Sequence, residues 1–79
     1  MSERAQRRMA RVRAPLERTI EQLLGRYTMH DVLHAMVENC YRRAGGEEET
    51  HRGEVYYSPW REVARYLTGV EAAVSMLEL

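Results

Sequence analysis

Residues 28–46, T-M-H-D-V-L-H-A-M-V-E-N-C-Y-R-R-A-G-G, carry the start, stripe and stop of a helix. Thr28 is placed to cap the first turn with Asp31 three residues on, Arg42 and Arg43 suit the negative end of the helix dipole, and Gly45-Gly46 is read as the stop. Advancing 100° per residue gathers Met29, Val32, Leu33, Met36, Val37 and Cys40 into one arc, the expected core face. His30, His34, Glu38, Tyr41 and Asp31 fall on the other side. Cys40 therefore reads as a small buried apolar residue, with no basic side chain beside it to make its thiol reactive.

Upstream, Leu16, Ile20, Leu23 and Leu24 recur at helical spacing behind Pro15, which is favoured at a first helical position. A first helix is expected over 15–24. Met9 and Val12 extend its stripe backwards across the proline, so that residues 1–14 are expected as an Arg-rich arm or frayed helix. Downstream, 45–57 reads as a polar loop, acidic at Glu47-Glu48-Glu49 and aromatic at Tyr56 and Tyr57. Ser58-Pro59 then opens a long third helix whose apolar residues, Trp60, Val63, Leu67, Val70, Val74 and Leu77, alternate three and four apart. That register continues across Gly69, so the helix is expected to do the same. The expected fold is all-α: a small three-helix bundle within 15–79, its first two helices an antiparallel hairpin and its C-terminal helix long.

The 79 residues suffice for one small domain, 44% apolar and 30% charged, with no apolar run long enough for a membrane span. Net charge is zero but graded, at +4 over 1–13, zero over 14–44 and −4 over 45–79. All twelve basic residues are arginine. GC-rich coding produces that bias, and it also supplies planar donors for carboxylate or phosphate. A single cysteine excludes an internal disulfide and suits a reducing compartment, so a cytoplasmic location is expected. No cofactor motif is present, whether a phosphate-cradling glycine loop or paired cysteines, and the expectation is of a protein that is not an enzyme.

Three constellations stand out. His30 and His34, four apart on a helix, project to one side with Glu38 a turn further, a spacing that suits a metal ion. The run His30-Asp31-Val32-Leu33-His34 resembles the H-E-x-x-H metalloprotease motif over five residues, with an aspartate one methylene short of the usual base. A chain of this size has little left with which to build a substrate cleft. Arg4, Arg7, Arg8, Arg11 and Arg13 place a charge every two to three residues and could neutralise phosphates, making a small nucleic-acid-binding regulator the alternative function. Acidic Asp31 and Glu38 on the second helix, and the absence of aromatics among the arginines, oppose it. The leading expectation is a regulatory interaction protein that docks on a partner protein, or on itself as a homodimer. Its expected contact residues are Tyr56, Tyr57, Trp60, Tyr41 and His34, because aromatic side chains bury much area at low entropic cost.

Overall fold

The computed structural model describes residues 2–79 as α1 (Glu3–Arg26), α2 (Met29–Thr50) and α3 (Pro59–Met76), with no strand among the described residues. The all-α, three-helix architecture is the one expected. Its close pairing lies elsewhere: α2 packs tightly on α3, and α1 meets α2 much less closely.

The α2–α3 contact buries two small residues completely. Ala44 and Ala64 are both 0% exposed, and Leu33, Val37 and Cys40 on α2 and Val74 on α3 complete the core. On α2 these are Leu33, Val37 and Cys40, half of the expected apolar arc, with Ala44 beyond it. On α3 the inward line is Trp60, Ala64, Leu67, Glu71 and Val74, so the expected seam is displaced. Of its members Val63, Val70 and Leu77 are exposed, while Ala64 and Glu71 take their places. An alanine that lets two backbones approach has no hydropathy signature of its own, which explains the shift.

Two boundaries differ from expectation. Helix α1 begins at Glu3: Ser2 Oγ accepts the Ala5 N–H at 3.2 Å, and Glu3 pairs with Arg7 at 2.6 Å. The arginine-rich arm is therefore helical, and Pro15 sits inside α1, lacking the N–H that would bond the Arg11 carbonyl. Helix α2 runs through Gly45-Gly46 to Thr50. Both glycines keep negative φ, and the helix continues because Glu47 and Glu48, beyond them, are tied to the start of α3. Among the described glycines Gly53 adopts a positive φ, 89°, in the loop that follows. Helix α3 crosses Gly69 unbroken, as expected, and ends at Met76.

The start of α2 is as read from the sequence. Thr28 Oγ1 accepts the Asp31 N–H at 3.1 Å and Asp31 Oδ2 accepts the Thr28 N–H at 3.2 Å, a reciprocal capping box. Tyr27 and Thr28 are both extended, and this two-residue link lets α1 leave α2 at its base. No residue of α1 is buried. The radius of gyration is 15.5 Å, against about 11.6 Å for a compact chain of this length.

Candidate interaction surface

The α2–α3 layer has a polar edge and an apolar edge. On the polar edge, at the loop end, Arg61 donates from Nε to Glu48 Oε2 at 3.0 Å and from Nη2 to Glu48 Oε1 at 2.6 Å. The Ser58 N–H donates to Glu48 Oε2 at 3.2 Å. These three bonds hold the Glu48 carboxyl down to a pKa of about 2, the Arg61 guanidinium contributing most. Next to it, Glu47 Oε2 accepts from Ser58 Oγ at 2.8 Å and from Tyr56 OH at 3.0 Å. The Glu47 bond, followed by burial, pushes the Tyr56 phenol upward. Two of the three consecutive glutamates thus fasten the loop and the first turn of α3.

Ser58 is the centre of that fastening, 1% exposed, and its Oγ also accepts the Trp60 N–H at 3.2 Å as the α3 cap. Ser58→Ala removes the cap and one of the two donors to Glu47, leaving the Tyr56 hydroxyl. We expect a loss of about 1–2 kcal/mol, read from urea unfolding followed by circular dichroism. Ser58→Thr, which keeps the hydroxyl, should lose less.

At the other end of the same edge the two histidines meet a carboxylate that sequence reasoning missed. Glu71 Oε1 lies 2.7 Å from His34 Nδ1 and 3.3 Å from His30 Nε2, and His34 Nε2 lies 3.1 Å from Glu38 Oε1. The Glu71 side chain is only 15% exposed. That these contacts and the Glu48–Arg61 pair lie at opposite ends shows α2 and α3 to be antiparallel. Glu71 occupies an inward seam position, so a seam drawn as 60-64-67-71-74 would have exposed it as a polar residue requiring a partner. Both ring nitrogens of His34 face carboxylates, and no group of three or more His, Cys, Asp or Glu among the described residues is arranged to hold a metal ion.

The hydrogen bond to Glu71, and then its charge, raise the His34 pKa above 6.5, with Glu38 adding to the effect. A pKa raised by folding stabilises the fold fully below the unfolded value and is lost as pH climbs through the folded one. The stability difference between the native chain and His34→Gln should therefore be larger near pH 6 than at alkaline pH, shrinking as pH rises above the ordinary histidine value of 6.5, read from urea midpoints. Glu48 acts in the opposite sense: its contribution is present above its ordinary 4.5 and is lost as pH falls toward 2.

The apolar edge carries an open groove of about 610 Å³ between the end of α1 and the α2–α3 layer. Leu23 and Tyr27 form one wall and Val32, Met36, Cys40 and Trp60 the other, with the Arg43 guanidinium 5.0 Å above the indole. Met29, Val32 and Met36 are the half of the α2 arc that α3 leaves uncovered. On the helical wheel Val63, Val70 and Leu77 lie on the side of α3 away from Arg61, and so extend the same apolar edge.

Helix α1 faces its surroundings with a stripe of its own. Met9, Val12, Leu16, Ile20 and Leu23 lie within about 80° on the wheel, and Leu16 and Ile20 are 46% and 45% exposed. On the opposite face Arg4, Arg7, Arg8 and Arg11 fall within about 100°. Arg13 stands apart, beside the stripe, 4.0 Å from Glu17. No described helix is long and apolar enough to cross a membrane.

The residues expected to bind a partner do not share one patch. Trp60 lines the groove; Tyr41 faces Arg61, 5.9 Å from its ring centre, on the polar edge. His34 is held between Glu71 and Glu38 on that same edge. Tyr57 is 78% exposed and borders Arg61, while Tyr56 stacks on His51 with centroids 3.9 Å apart. Leu16, Ile20, Leu23 and Met36 were legible only as core, and their exposure is what the fold adds. Compared with known proteins, the chain matches no family model, no curated protein and no solved structure.

Proposed function

We propose that this chain is a non-enzymatic helical interaction protein whose docking surface is the α1 stripe together with the groove beside it. The observation that carries the reading is α1 itself: a 24-residue amphipathic helix with no buried residue. An isolated helix of this length gains little from propensity alone, and most helical stability in proteins comes from packing an apolar face. A stripe of aliphatic side chains left open next to an apolar groove is the signature of a surface built to be covered by protein. The polar edge, by contrast, is spent on internal ion pairs.

A photo-reactive amino acid at position 20, illuminated in the source cell, tests this. A discrete protein adduct, absent from a probe placed at the exposed loop residue Val55, is the expected result. Labelling of position 20 by solvent alone contradicts it.

The row Arg4, Arg7, Arg8 and Arg11 on the far face of α1 favours a second reading, contact with nucleic acid, which leaves the stripe free for protein. Neutralising about four phosphates gives a slope near −3.6 in log affinity against log salt for duplex DNA. Loss of that slope in an Arg8→Glu, Arg11→Glu variant supports this reading, and absence of any gel shift at low salt contradicts it.

A further inference from the structure

We infer that the protein covering this surface is a second copy of the same chain, its α1 stripe lying in the groove and along the apolar edge of the first copy's α2–α3 layer, and the reverse. This rests on the docking surface proposed above and specifies its occupant.

Surface area carries the argument. The chain exposes 6872 Å², whereas a folded monomer of 9.3 kDa is expected to expose about 5,000 Å². The excess, about 1,900 Å², is what one protomer hides in an interface of about 3,800 Å² in total, within the range of obligate homodimers and well above a transient encounter. Measured against its unfolded chain, the fold covers only about half of the surface, where about 60% is usual for so short a chain. The core has the same deficit. Its members are Leu33, Val37, Cys40, Ala44, Ala64 and Val74, and the largest side chain less than 2% exposed is Ser58.

A second copy supplies what is missing in kind. The groove is an apolar slot beside an α2 face of Val32 and Met36, and it requires an aliphatic helix; α1 is such a helix, with no apolar partner of its own along most of its length. Reciprocal exchange satisfies both deficits with a two-fold, self-complementary interface and leaves no apolar face to propagate a filament. Charge agrees with this arrangement. The exchange brings the +4 segment 1–13 of one copy toward the −4 segment 45–79 of the other, which steers association and disfavours like-to-like alignment.

The test uses the purified 79-residue chain. Sedimentation equilibrium of the native chain should return twice 9.3 kDa, and a photo-reactive residue at position 20, in a mixture of isotope-labelled and unlabelled chains, should join position 20 of one copy to residues 32–36 of the other. Leu16→Asp with Ile20→Asp should weaken self-association by at least about a thousandfold, because the two copies together lose four buried aliphatic side chains. A native chain that stays at 9.3 kDa overturns the inference, as does a dimer whose cross-links avoid 32–36. If the purified chain is monomeric while position 20 captures a different protein in the cell, the second copy is wrong and the docking surface stands; if neither occurs, both fall.

Discussion

Leu33→Ala lowers the stability of the fold by about 2–5 kcal/mol, the range for removing a buried leucine and leaving the space behind it. Leu33 belongs to a buried stripe completed by Val37, Cys40 and Ala44. Unfolding in urea, monitored by circular dichroism, gives the value directly. Leu33→Met, which conserves most of the volume, should cost less than about 1.5 kcal/mol.

The second large effect has the opposite cause. Ala64 is 0% exposed on the inward line of α3, and leucine there adds three carbons where the helices meet. Overpacking of this kind costs about 1–3 kcal/mol through displaced side chains and backbone. The consequence reaches the polar edge, because separating α2 from α3 at position 64 also pulls Arg61 from Glu48 and Glu71 from His34. In Ala64→Leu the stability difference produced by His34→Gln should therefore lose much of its pH dependence, measured as a double-mutant cycle. If the two substitutions were additive at every pH, the helix contact and the histidine cluster would be independent.

Local signals gave the starts of α2 and α3, since Thr28-Asp31 and Ser58-Pro59 act within one turn and depend on nothing remote, whereas Pro15 was read as the start of α1 and lies inside it. Stops were less legible. Gly45-Gly46 has a stop signal that the structure overrides, because Glu47 and Glu48 find their partners ten or more residues later, at Ser58 and Arg61. The pairing of helices was least legible of all. Leu16, Ile20 and Leu23 have the periodicity of a core face, and periodicity states that a face must be covered without stating by what. The two core residues with no exposed surface, Ala44 and Ala64, are the least conspicuous apolar residues in the chain. The histidine pair shows the same limit: its spacing on α2 was plain, but Glu71, which decides its chemistry, lies 37 residues away.

The central claim is that the fold of one chain is completed by another, and unfolding as a function of dilution tests it most directly. If the folded state is a dimer that dissociates on unfolding, the thermal midpoint falls by about 4 °C for each tenfold dilution, given the usual unfolding entropy for two such chains. A midpoint that stays constant across a hundredfold dilution would contradict the account, since α1 would then be stable with its apolar stripe in water.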